Sequence, residues 1–156
     1  MVRLLASLLL CAAAVTAQPK SPLHFEICWE KPMDGHVVLI ISSAPQGEPR
    51  QQINEGLTSQ QMFGVDVNTA RTVTIDGATL GYPRESLDRI PAGEYTVQAV
   101  LNIYETFHRA DGSTLKLRMD QGEGQHWNRK PANLYSAPQK NRHRSRQEHR
   151  RQAPAP

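Results

Sequence analysis

Cysteine is nearly absent from this sequence. Of 156 residues only Cys11 and Cys28 carry a thiol, and Cys11 lies in an N-terminal leader. A single remaining thiol closes no intramolecular disulfide and completes no Cys/His zinc pattern, so a disulfide scaffold and a zinc ribbon are both excluded. On a strand, Cys28 reads as a small residue. The motifs of the common catalytic folds are missing too. No Gly-x-Ser-x-Gly elbow presents a serine nucleophile, no glycine-rich phosphate loop or dinucleotide fingerprint is present, and no His-Glu-x-x-His pair is set for a catalytic zinc. The sequence therefore assigns no catalytic residue, no metal and no cofactor. Long amphipathic helical patterns are absent as well, which excludes a helical bundle.

What is present divides into three parts. Residues 1–17 read as a secretory leader: Arg3 supplies the positive end, Leu4–Ala14 an apolar run broken only by Ser7, and Val15-Thr16-Ala17 a small-residue cleavage site before Gln18. The run is short for a bilayer span, and Leu10 before Cys11 does not suit a lipoprotein acylation site. Export to the periplasm or the extracellular space is the expectation. Residues 18–138 fit one domain of ordinary size. Residues 139–156 hold Lys140, Arg142, Arg144, Arg146, Arg150 and Arg151 against Glu148, a balance of +5, so the rest of the chain carries −2 of the overall +3. This tail lacks apolar periodicity and is expected to be disordered. Its charge suits anionic cell-surface polymers or lipid headgroups from Lys140 to Arg151, whereas export argues against nucleic acid.

Within the domain, apolar residues recur at every second position. Leu23, Phe25, Ile27 and Trp29 make a first strand, and Lys31–Gly35 reads as a turn. Val37–Ile41 is apolar throughout, with four β-branched residues, and reads as a central strand buried on both faces. Met62–Val67 and Arg71–Asp76 read as two further strands, the second closed by Asp76-Gly77. After the turn Pro91-Ala92-Gly93, the residues Tyr95, Val97, Ala99, Leu101 and Ile103 share one face and a mostly polar set shares the other. That strand is expected to run to about Phe107, and a hairpin loop at His108–Gly112 leads to a return strand through Leu115, Leu117 and Met119. The Gly93-x-Tyr95 spacing resembles the tyrosine corner of immunoglobulin-like sandwiches, in which the phenol ties a strand to the loop before it. Together these features predict an all-β, immunoglobulin-like antiparallel β-sandwich.

Candidate binding residues are His108, Asp111, His126 and Trp127, with Asp120 and Glu123 completing a polar cluster. The cluster has no recognised metal spacing, and solvated loop charges describe it as well as a site does. Trp29 continues an apolar face and is expected in the core. Trp127 stands in a polar loop, where packing and ligand stacking are both open.

One resemblance extends over residues 22–138. It is carried by Phe63-Gly-Val-Asp66, Gly81-Tyr-Pro83, Ile90-Pro-Ala-Gly-Glu-Tyr-Thr-Val-Gln-Ala-Val-Leu-Asn102, Thr106-Phe-His-Arg-Ala-Asp-Gly112, Gly124-Gln-His-Trp-Asn-Arg-Lys-Pro131 and Asn133-Leu-Tyr-Ser136. These strings resemble the N-terminal β-sandwich module of bacterial secreted esterases, the enterochelin-esterase-like α/β-hydrolase proteins. In that family the Asn-Leu-Tyr-Ser segment leads into the catalytic domain; here it leads into the Arg-rich tail. The resemblance thus implies the accessory module alone, as a solo domain or as the front of a severed esterase, with a hydrolase domain or its substrate as partner.

Overall fold

Five consecutive apolar residues need cover on both faces of a strand, and Val37–Ile41 find it in the middle of the longest one. In the computed structural model, which describes residues 23–143 except 45, 121, 123 and 125, strand β1 (Phe25–Ser42) runs beside β2 (Gln61–Ile75) and β4 (Gly93–Ile103). The short strands are β3 (Gly81–Tyr82), β5 (Glu105–His108), β6 (Thr114–Leu117), β7 (Leu134–Tyr135) and β8 (Gln139–His143). The order β3-β2-β1-β4-β7, with β8 also on β4, makes a six-stranded sheet, and β5 and β6 form a separate hairpin. All pairings are antiparallel. The fold is all-β, and no helix among the described residues is long and apolar enough to cross a membrane.

The residues at positions 23–35 correct two expectations. The first two expected strands are one, and so are the two expected between Met62 and Asp76. The Pro32–Gly35 segment does not reverse the chain; it shifts the register between Cys28 and Met33 and again between Met33 and Gly35. The physical reason lies across the ladder. The Asp34 carboxylate accepts the Thr69 backbone N–H at 2.6 Å and its hydroxyl at 3.3 Å, and Thr69 sits at a positive φ of 49°. Both chains therefore bend together as a bulge instead of parting at a turn. The bend brings Leu23, Phe25, Ile27 and Trp29 onto the cluster formed by Val37, Leu39, Ile41, Phe63, Val97 and Leu101. The long β1–β2 ribbon thus covers the sheet it belongs to, a β-sandwich-like arrangement.

The opposite face has its own cover. Val38, Ile40 and Val100 are buried there with Ile53, Met62 and Trp127 packed on them. The face of β4 read as solvent-facing is closed in its middle: Gln98 is 1% exposed and Asn102 4%. Both side chains find local partners. Gln98 accepts the Arg50 backbone N–H at 3.1 Å and donates to the Ser136 carbonyl at 3.0 Å, and Asn102 accepts from Asn133 at 2.7 Å.

The expected disorder from Gln139 onward is corrected for its first residues. Gln139–His143 pair with Val97–Gly93 as β8. Ladder bonds come from the backbone and need no apolar side chain, so a polar sequence fills an open strand edge as readily as an apolar one. Lys140 and Arg142 alternate with the exposed Asn141 and the partly buried His143, which line a small gap with Leu23, Phe25, Tyr95 and Val97. The expected leader at 1–17 and the rest of the expected tail, from residue 144, lie outside the described residues.

Phe63 is fully buried between the two layers. Phe63→Ala is expected to remove about 3–5 kcal/mol of stability, measured by urea denaturation; a loss below about 1 kcal/mol would place the ring outside the core.

Candidate functional site

Strand register builds the site. Antiparallel pairing sets His36 opposite both Asp66 and Asn102, Val38 opposite Gly64 and Val100, and Ile40 opposite Met62 and Gln98. With a two-residue period these side chains all project from one face, as a grid of three rows by three strands. Gly64 leaves a hollow in the middle row. A Cβ at that position would stand 2.5 Å from His36 Nε2, so the imidazole leans into the space that the missing side chain frees. The hollow opens into a cleft of about 510 Å³, floored by Val38, Met62 and Gly64 and walled by Tyr82, Tyr104, Arg118 and Trp127.

The polar end of the cleft is a three-membered bond system. His36 Nδ1 lies 2.7 Å from Asp66 Oδ1, and Tyr104 Oη donates to the same oxygen at 2.8 Å. A carboxylate only accepts, so Nδ1 carries the proton and Nε2 is left as the acceptor of the neutral ring. The bonds from His36 and Tyr104 hold the Asp66 carboxyl below its ordinary range. Burial, followed by the bond to Asp66, pushes the Tyr104 phenol up to about 12.

The other end is held by amides. Asn133 Nδ2 donates to Asn102 Oδ1 at 2.7 Å and to the Trp127 carbonyl at 3.0 Å, and its own Oδ1 accepts the Ile103 N–H at 3.2 Å. This one side chain locks the Trp127 segment to β4. Arg50 adds a second tie, donating to the Asn128 carbonyl at 2.6 Å and stacking 4.2 Å over the Tyr135 ring. Arg118 differs from its neighbours: its Nη1 is buried and has no hydrogen-bond partner among the described residues.

Of the candidate residues singled out in the sequence that are described, Trp127 alone lines this cleft. His126 is exposed beside it and accepts the Arg129 N–H through its carbonyl. His108 faces Thr114 across the β5–β6 hairpin at 3.2 Å. Asp111 shapes the hairpin turn by accepting the Ser113 hydroxyl at 2.6 Å and its N–H at 2.9 Å, bonds that lower its pKa. Asp120 is occupied by the N–H groups of Gly122 and Gly124, and Glu123 lies outside the described residues. Among the described residues no group of three His, Cys, Asp or Glu could hold a metal ion. Gly93 opens β4, and Tyr95 Oη donates to the Pro91 carbonyl at 2.9 Å, tying the strand to its turn. Trp29 packs on the core with its indole N–H unpartnered among the described residues.

His36, Asp66, Asn102, Tyr104 and Arg118 were not singled out as functional residues in the sequence. Asp66 and Asn102 end two of the strings that carry the family resemblance, but only the pairing register shows that both flank His36.

Chemically, the cleft offers an apolar floor, aromatic walls, one basic nitrogen and one guanidinium. None of its described lining residues is Ser, Thr or Cys.

The two shifted groups predict opposite pH responses. The neutral phenol of Tyr104 is favoured by the fold, so its contribution to stability is full below its ordinary value of 10.0 and is lost as pH rises through about 12. Asp66 contributes above the ordinary carboxyl value of 3.8, and that contribution is lost as pH falls. In an ultraviolet titration one of the four tyrosines is expected to ionise last, near pH 12. Tyr104→Phe should delete that step. Asp66→Asn should move it down only in part, since burial, the larger cause, remains. Four phenols titrating together near pH 10 would contradict the Tyr104–Asp66 bond.

Comparison of the chain with protein-family models, with curated proteins and with solved structures returns no match.

Proposed function

We propose that this chain is a non-catalytic, exported, immunoglobulin-like accessory module that holds a small, partly apolar ligand in the cleft between His36 and Trp127. The observation that carries the reading is the make-up of the cleft: its volume of about 510 Å³ and its aromatic walls suit a small organic molecule, while none of its described lining residues is Ser, Thr or Cys. The immunoglobulin-like assignment is supported by the covered β1–β2 ribbon and the Tyr95–Pro91 tie. Export rests on the leader pattern of residues 1–17. A hydrolase domain or its substrate as partner rests on the sequence strings that resemble secreted esterases. Lys140 and Arg142, exposed on β8, suit a contact with anionic surface polymers.

A second reading is favoured by the His36–Asp66 pair. An imidazole oriented by a carboxylate, with Nε2 toward a cleft, is the base half of a hydrolytic site, and a bound water would be its nucleophile. A hydrolase site built on His108, Asp111, Asp120 and His126 has less support, because the side chains of His108, Asp111 and Asp120 bond within their own loops.

Indole, a neutral aromatic probe, is expected to shift the amide signals of Gly64 and Gly81 and the Trp127 indole N–H in the nuclear magnetic resonance spectrum of the protein. Trp127→Ala should weaken this binding by about tenfold or more, roughly 1.4 kcal/mol. 4-Nitrophenyl acetate should be hydrolysed no faster than in buffer. Shifts scattered over the surface would defeat the binding reading, and turnover lost in His36→Ala would replace it with the second.

A further inference from the structure

We infer that the cleft's ligand carries a single carboxylate and that Arg118 is the group that receives it. The inference rests on the cleft being a ligand site and adds the chemistry of what fills it. Arg118 lines the cleft wall, and its Nη1, closed off from water, has no hydrogen-bond partner among the described residues. A buried charged donor without an acceptor is costly, and native structures leave few such groups unless something else completes them. Among the described residues, Asp66 is the carboxylate bonded to the polar end of the cleft, and His36 and Tyr104 already share one of its oxygens.

The position of Arg118 follows from its neighbour. Lys116 on β6 bonds Asp34 at 2.8 Å and Asn68 at 3.0 Å, which clamps the hairpin onto the bulge of the main sheet. Arg118 directly follows β6 and lines the cleft. The clamped hairpin restricts where its guanidinium can reach, and a restricted group loses less freedom on binding.

Charge selects the class of anion. A guanidinium matches a carboxylate with two parallel N–H···O bonds. One cation balances one negative charge, and the Asp66 carboxylate nearby disfavours a second, which argues against a phosphate dianion. Asn102 adds a neutral donor: its Oδ1 is taken by Asn133, and its Nδ2 has no partner among the described residues. The body of the ligand lies against Val38 and Met62 between the rings of Tyr82 and Trp127, so an aromatic or similarly flat monocarboxylate fits.

The test compares phenylacetate with its neutral isostere phenylacetamide on the full protein, read by the signals of Gly64, Gly81 and the Trp127 indole, with indole as the neutral reference. Phenylacetate is expected to bind at least about tenfold more tightly than the amide. Arg118→Gln should erase that preference, and Arg118→Lys should keep part of it. Equal affinities in the unaltered protein, a comparison that needs no variant, would overturn the inference, as would a preference that survives Arg118→Gln. If indole binds and the preference is absent, the anion inference falls and the cleft remains a ligand site. If neither indole nor phenylacetate moves those signals, both fall together.

Discussion

Everything in this molecule depends on β1 being hydrogen-bonded along both of its edges. From Gly35 to Ile41 it pairs with β2 on one side and with β4 on the other. Two fixed ladders leave no freedom of register, since a slip of one residue would turn every apolar side chain to the wrong face. Gly35 belongs to the same constraint, because a Cβ there would collide with the Asn102 carbonyl. Once β1 is fixed, odd positions from Val37 to Ile41 enter one layer of the core. Even positions from His36 to Ile40 enter the other. The core and the cleft are the two faces of one strand.

The two faces are stabilised differently. On the first, burial of Phe63, Leu39, Ile75 and Leu87 does the work, at about 25 cal/mol per Å² of apolar surface removed from water. On the second, Gln98, Asn102 and Asn133 are buried polar groups, and such groups are tolerated because their bonds are made within the layer. An apolar face tolerates sliding and repacking; an amide network does not, because each displaced partner leaves a desolvated group behind. The rigid positioning of Trp127 comes from that network.

The sequence made the all-β class, the central strand at Val37–Ile41 and the β5–β6 hairpin legible, because each is written in alternation or turn residues within a few positions. The bend at Met33–Gly35 was hidden for a physical reason: Pro32 and Asp34-Gly35 look like a turn, and what converts them to a bulge is Thr69, some 35 residues away. The cleft was hidden in the same way. His36 and Asp66 are separated by 30 residues, and their meeting depends on strand register. Trp127 was visible because a tryptophan in a glycine-rich polar segment is conspicuous locally. Arg118 was not, since nothing in its own neighbourhood distinguishes it from a solvated arginine. Strand β8 was missed because apolar periodicity reports side-chain burial and is silent about backbone pairing.

The outermost position of β8 has a further consequence. A strand edge with open N–H and C=O groups is a template on which another chain can assemble, and proteins blunt such edges with charge. Here the edge of β4 from Gly93 to Val97 is closed by β8, and the new edge carries Lys140 and Arg142, both exposed. Two copies approaching edge to edge would bring like charges together. Charge at such an edge disfavours pairing of one sheet with another, a consequence of where the basic residues sit in the fold and independent of any ligand.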